Sequence, residues 1–349
     1  MPILLFHCAR FMPAAVHPLP LPCDHLQVDY LPVDALASVL EDPQVLAAIG
    51  FAAGSRPDAA ADPRHIRIGL DALAGDCIEV WRSSGPVQYG RAPEGLRWAR
   101  SETLQWGALE VDEADFGGDI RAASAHAYRL LQARLAGSSH PHLLRIWNYI
   151  DAIVEGEGDQ ERYRQFCLGR ADGMGSVDVA RLPAATAIGR IDGVRVLQVY
   201  WLAAREPGRP VENPRQVSAY HYPRQYGPQP PSFARAMLPA RGSALPLMLS
   251  GTASVVGHAS LHAGDTARQI AETFTNFQAL IGRAREAEPL LPAQFGPQTR
   301  LKVYLQHADQ LATLQQALSA QPGRSPAPPV LHACVCRPDL HVEIDGWHC

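Results

Sequence analysis

Long apolar runs, basic excess and paired cysteine motifs are all missing from this chain of 349 residues. No hydrophobic stretch approaches the roughly 20 residues that span a bilayer, so no membrane segment is expected. Lys and Arg total 31 against 35 Asp and Glu, a net charge of −4 that leaves no electrostatic footprint for nucleic acid. The seven cysteines are an odd number without Cys-x-x-Cys, so neither a disulfide framework nor a zinc knuckle is expected. Residues Met1 to Cys8 lack the charged leader and long apolar segment of a signal peptide and read as a first strand. A reduced, cytoplasmic protein is the expectation. Gly-x-Ser-x-Gly and Gly-x-Gly-x-x-Gly are absent too, which removes nucleophile-elbow hydrolases and dinucleotide binding. His258 and His262 stand four apart, but Gly257 and Gly264 put them in a loop without a third ligand, so no metal site is expected.

What is present is ordinary globular material: 47% hydrophobic and 19% charged residues, enough for a sizeable core and two domains of usual size. Residues 33–40 and 42–49 read as short helices, the second with Asp42 as cap and Pro43 at its first position. Loops follow at 54–58 and 62–63, and residues 1–65 carry no evident chemistry. At the other end, Cys334 to Asp345 reads as strand, bend at Arg337-Pro338-Asp339, and strand. Such a hairpin would bring Cys336 and Glu343, a thiol and a carboxyl group, into one place.

From Ile66 the chain repeats itself. Strands at 78–81 and 103–111 precede a helix over 120–135, opened by Gly118-Asp119 and closed by Gly137, and then a strand at 143–150. In the second copy, a strand at 247–256, a helix opened by Gly264-Asp265 and a strand at 300–305 follow in the same order. Ser250-Gly251-Thr252, Gly264-Asp265, Gln269 to Thr273, Asn276, Lys302-Val303-Tyr304, Cys336-Arg337-Pro338 and Val342 to Asp345 resemble the reactive-intermediate deaminases of the YjgF type. That likeness covers 240–349 well and 70–155 loosely, and implies an α+β fold of two modules, each a mixed sheet with helices on one face. The expected layout is an N-terminal extension, 1–65, packed on a first module, 66–160. A connecting, tyrosine- and proline-rich substrate segment, 161–239, leads to a second module, 240–349, bearing the catalytic hairpin.

The middle segment is foreign to such small deaminases. Tyr220 and Tyr222 would share a face if their stretch is a strand, and three tyrosines with Arg235 among prolines suit a rigid polar surface. Residues 162–170, 219–223, 226–228, 231–236, 250–254 and 336–346 together resemble the chorismatases, over most of the chain from about 140 onward.

The resemblance implies a cofactor-independent and metal-free enzyme that takes chorismate and releases pyruvate. Its nearest branch makes 3- and 4-hydroxybenzoate for pigment and ubiquinone pathways. Chorismate carries two carboxylates and an enolpyruvyl ether, so cationic clamps are needed. Arg170 and Arg235 are the candidates, with Tyr220, Tyr222 and Tyr226 as hydrogen-bonding partners and Tyr149 as an addition. Glu343 occupies the place of the family's acid, with Asp345 as fallback, and Cys336 that of a cysteine steering toward aromatic product. Whether Cys336 acts as nucleophile, base or shape element stays open, as does monomer against homotrimer. An imine deaminase and a non-catalytic small-molecule-binding module are the rival readings.

Overall fold

The computed structural model describes residues 25–176, 178–323 and 325–349; the strand expected at residues 1–8 lies outside them. The chain builds one sheet pattern three times. First come β1 (Leu26–Pro32), α1 (Leu36–Glu41), β2 (Val45–Phe51), β3 (His65–Ile68), β4 (Ala72–Ala74) and β5 (Cys77–Ser83). Then follow β6 (Gln88–Arg91), β7 (Arg97–Arg100), β8 (Leu104–Asp112), α2 (Ile120–Ala136), β9 (His142–Asp151), α3 (Arg162–Met174), β10 (Ala184–Arg190) and β11 (Val196–Ala204). The last group begins with β12 (Arg209–Val211), β13 (Ala236–Leu238), β14 (Leu247–Thr252), β15 (Val255–Val256) and β16 (Ala259–Ser260). It ends with α4 (Thr266–Arg285), β17 (Arg300–Leu305), α5 (Leu311–Ser319), β18 (Val330–His332) and β19 (Val342–His348).

The sheets run β1-β5-β2-β3, β8-β11-β9-β10 and β14-β19-β17-β18. In each, the first two neighbouring pairs are antiparallel and the last is parallel. β7 and β6 extend the second sheet; β13, β12 and, at the far edge, β4 extend the third. A parallel pair needs a crossover, and α3 and α5 supply it in the second and third copies.

This α+β architecture differs from the expected two modules, because β1, β2, β3 and β5 form a sheet of their own instead of an extension. Ile78–Trp81 pairs with β1 and β2, not with the second sheet, and β11, inside the segment 161–239 expected as a connector, is a central strand of the second sheet. The stretch 42–49, expected as a helix, instead leads into β2, Val45–Phe51, a strand buried along its whole length. An apolar run buried on both faces loses the alternation that marks a strand, so the Asp42-Pro43 capping signal misleads. The expected C-terminal hairpin does not form either: β17 lies between β18 and β19, and Cys334 bridges to Gly189. The capping residues Asp119 and Asp265 do open α2 and α4, accepting backbone N–H groups of the first turn.

The inner faces of the three sheets share one core around Trp81, Trp106, Trp147, Tyr200 and Trp347. The helices lie outside, α2 and α3 over the second sheet and α4 over the third. α3 approaches α2 closely: a Cβ on Gly169 or Gly173 would collide with the carbonyl oxygens of Arg121 and Ala125. Cys349 is disulfide-bonded, against the expectation of a fully reduced chain, while Cys77, Cys167, Cys334 and Cys336 are free thiols. Among the described residues, no helix is long and apolar enough to cross a membrane, and no group of three or more His, Cys, Asp or Glu could hold a metal.

Candidate active site

A cleft of about 600 Å³ opens between the second and third sheets. α3 and β10 line one side, β14 and β19 the other, and the stretch from Gln216 to Arg235 and the loop from Cys336 to Leu340 complete it. One face of α3 supplies Tyr163, Cys167 and Arg170, spaced by four and three residues as a helical face requires.

Glu343 stands on β19, opposite Tyr304 of β17. Its carboxyl group lies against Gly251, where a Cβ would overlap Oε1, so the close approach requires glycine. Burial pushes Glu343 from 4.5 up to about 8, and the neighbouring Asp345 pushes the same way; Arg145, Arg235 and Arg337 oppose them. No described residue hydrogen-bonds to the carboxyl group. At neutral pH Glu343 is therefore mainly a carboxylic acid. Cys336 lines the same cleft, and burial followed by Glu343 pushes its thiol far above the ordinary range. It is a neutral thiol, not a thiolate.

Four guanidinium groups face the cleft: Arg164, Arg170, Arg235 and Arg337. Arg170 is 5% exposed, its Nε and Nη2 have no hydrogen-bond partner, and its guanidinium lies 5.3 Å from the Tyr128 ring centroid. Arg235 donates from Nη2 to the Tyr222 hydroxyl at 2.7 Å and to the Val217 carbonyl at 3.0 Å, leaving Nε unpaired. Arg337 donates to the His258 carbonyl at 2.8 Å and lies 4.2 Å from the Tyr226 ring centroid. Unpaired buried guanidinium N–H groups are costly unless a ligand anion meets them, so this constellation suits carboxylates.

Six of the eight expected site residues, Glu343, Cys336, Arg170, Arg235, Tyr222 and Tyr226, thus line one cleft. Tyr220 and Tyr149 do not. Tyr220 sits in a short 3-10 turn, Ala219–His221, with its ring 4.6 Å from that of His221, so the supposed shared strand face does not exist. Tyr149 points to the inner core, its hydroxyl 3.2 Å from that of Tyr200 and 3.0 Å from that of Tyr304. Asp345, the fallback acid, is engaged behind the cleft with Trp147, Thr186 and Tyr304. His258 and His262 bond instead to Tyr226 and Glu272. Sequence reasoning, which shared Arg337 between the chorismatase and deaminase readings, did not include Arg164 and Tyr163 as site residues. Helical spacing along 162–170 would have found Tyr163 beside Cys167 and Arg170, and Arg337 is the neighbour of Cys336.

Fold and cleft together define an α+β protein with a buried acid in a cleft lined by arginines. The family described as chorismatase FkbO/Hyg5-like, N-terminal, matches residues 79–203. A chorismatase of Streptomyces rapamycinicus is 34% identical over 276 residues, covering 77% of this chain and 81% of its own. A 3-hydroxybenzoate synthase of Streptomyces hygroscopicus is 33% identical over 280 residues, covering 77% and 80%. A chorismatase crystal structure, 29% identical, superposes with a TM-score of 0.82 over 93% of this chain and 98% of its own. The chain belongs to the chorismatase family.

Proposed function

We propose that the protein is a lyase converting chorismate to 3-hydroxybenzoate and 4-hydroxybenzoate with release of pyruvate. The observation that carries this is Glu343, a buried acid holding its proton at neutral pH in a cleft lined by four arginines. Two carboxylates on the substrate suit those cations, and the names of the relatives, chorismatase and 3-hydroxybenzoate synthase, support the substrate and one product. The products would supply pigment and ubiquinone precursors.

In this reading Glu343 gives its proton to the terminal methylene carbon of the enolpyruvyl group. The alkene electrons form the new C–H bond, and the ether oxygen shares the resulting positive charge. The carboxylate left behind is stabilised by Arg145, Arg235 and Arg337. Either hydroxybenzoate plus pyruvate contains the same atoms as chorismate, so aromatisation consumes no water, whereas hydrolysis to a dihydrodiol consumes one. A half-buried neutral thiol beside the acid fits exclusion of that water better than nucleophilic attack, giving Cys336 a shape role. For 3-hydroxybenzoate the ring C4 hydroxyl oxygen bonds to the cationic carbon and gives up its proton. The bonds from that oxygen to ring C4 and from that carbon to the C3 oxygen then break, and pyruvate leaves with the C4 oxygen while the ring keeps the C3 oxygen. For 4-hydroxybenzoate the ether breaks on its ring side, driven by aromatisation. In both routes the ring loses a proton on becoming aromatic, which restores the acid.

The test is chromatography of chorismate incubated with the purified protein, coupled to pyruvate detection, beside Glu343→Gln and Cys336→Ala. Pyruvate with hydroxybenzoates is expected from the wild type, near-complete loss from Glu343→Gln and a shift toward dihydrodiol from Cys336→Ala. Intact chorismate with the wild type would overturn the reading and direct attention to imine substrates.

A further inference from the structure

Asp345 follows Glu343 by two positions on β19, so both carboxyl groups leave the strand on one side. Their surroundings are opposite. Oδ2 of Asp345 accepts from Trp147 Nε1 at 2.9 Å, Thr186 Oγ1 at 2.9 Å and the Tyr304 hydroxyl at 3.0 Å, and lies 3.4 Å from Nη2 of Arg145. A carboxyl oxygen facing only donors, one of them a guanidinium, is satisfied as an anion.

Thr186 bonds to one acid and lines the cleft that holds the other. Its hydroxyl proton goes to Asp345, while its oxygen accepts from Arg145 Nη2 at 2.5 Å and from the Gly251 amide at 3.0 Å. Thr186 lines the cleft beside Glu343 but has no proton left to donate to it. On its far side the anion is anchored through phenols: Tyr304 to Tyr149 at 3.0 Å, Tyr149 to Tyr200 at 3.2 Å, and Tyr200 to Nζ of Lys302 at 3.2 Å. Lys302 is itself paired with Glu79 at 2.6 Å.

We propose that Asp345 is a positioning residue for the acid: its fixed charge, held by Trp147, Thr186, Tyr304 and Arg145, keeps the proton on Glu343 until substrate takes it. This rests on the acid role proposed above for Glu343. The other charges facing Glu343 come from Arg145 on β9, Arg235 ahead of β13 and Arg337 in the loop before β19, and all three favour the anion. Tyr163 on α3 and Cys336 keep their own protons and add no charge. Asp345 is the foremost of the charges acting on Glu343, after burial itself. It also pairs with Arg145, so the pull of that cation on the Glu343 anion is opposed by the carboxylate it holds.

The test has two readouts. One is the pH dependence of kcat/KM for chorismate in the wild type and in Asp345→Asn. The other is titration of the Glu343 carboxyl by carbon-13 NMR, assigned with Glu343→Gln and needing no turnover. Asp345→Asn should lower both the alkaline limb and the titration midpoint by about 1 pH unit, a roughly tenfold loss of activity on the alkaline side. The ratio of variant to wild-type activity should therefore fall as pH rises, whatever its value on the acidic plateau. A purely structural role would lower activity equally at every pH and leave the midpoint in place, which overturns the proposal. If Asp345→Asn fails to fold because Arg145 is left unpaired, Asp345→Asn with Arg145→Met removes both charges. The midpoint should then fall by less, since Asp345 outweighs Arg145, and an unmoved or raised midpoint contradicts the proposal. A midpoint that falls in a protein that leaves chorismate intact would uphold this electrostatic role and overturn the substrate reading alone.

Discussion

The carboxyl group of Glu343 occupies the space that a Cβ on Gly251 would need. The acid is thereby seated against the backbone of β14, with the Thr186 hydroxyl accepting from the Gly251 amide and lying near the same position. Gly251→Ala should displace Glu343 while costing about 1–3 kcal/mol of stability through overpacking. A kcat loss well beyond any change in KM, at a temperature where the variant is folded, is the expected outcome. Near-normal kcat would show that the close seat is not needed.

Removal of the acid itself has a larger effect. Glu343→Gln keeps the shape but cannot donate a proton to carbon, and should lower kcat about 10²–10⁴-fold. Steady-state pyruvate release reads this directly.

The pH dependence follows from Glu343 being raised from 4.5 to about 8. Catalysis by the protonated form should fall as pH rises through about 8. Stability carries the same sign: between about 4.5 and 8 the folded protein holds a proton that the unfolded chain has released. This group's contribution is therefore fully favourable below about 4.5 and is lost as pH rises toward 8. Denaturant unfolding across that window should decline less steeply for Glu343→Gln than for the wild type.

How much of this was legible in the sequence depends on where each residue points. Glu343 and Cys336 sit in short apolar surroundings with a distinctive Arg-Pro neighbour, and both line the cleft although the hairpin meant to join them does not form. The strand facing Glu343 is β17, about forty residues back, through the Tyr304–Glu343 pairing, and no local pattern announces such a partner. Tyr149 was misplaced for a related reason. Its neighbour Asn148 lines the cleft and Tyr149 faces the shared core, and with both strand faces buried, alternation cannot say which one meets ligand. The first sheet went unrecognised because its one α-helix, Leu36–Glu41, is only six residues long and its crossover from β2 to β3 contains no helix.

Arg170 is a buried cation with unpaired N–H groups. Arg170→Met should raise the free energy of chemical unfolding by about 1 kcal/mol or more, because a buried charge is replaced by packing of similar length. It should also raise KM for chorismate severalfold or more. Loss of stability without any change in KM would mean that this guanidinium serves the fold instead of the ligand.

The seating of α3 rests on a different ion pair. Arg162 meets both oxygens of Glu113 at 2.7 and 2.8 Å, and Glu113 is fully buried. Arg162→Ala leaves that carboxylate unpaired and should cost about 3–5 kcal/mol. Because α3 carries Arg164, Cys167 and Arg170, thermal unfolding and KM should both worsen.

The most direct check of the central claim, proton transfer from Glu343 to carbon, is the isotope content of pyruvate made from chorismate in D2O and trapped at once by reduction. The acid exchanges its proton with solvent before substrate binds, so one deuterium in each methyl group is expected from the wild type, and almost no pyruvate from Glu343→Gln. An undeuterated methyl group, or undiminished pyruvate from Glu343→Gln, would contradict the account.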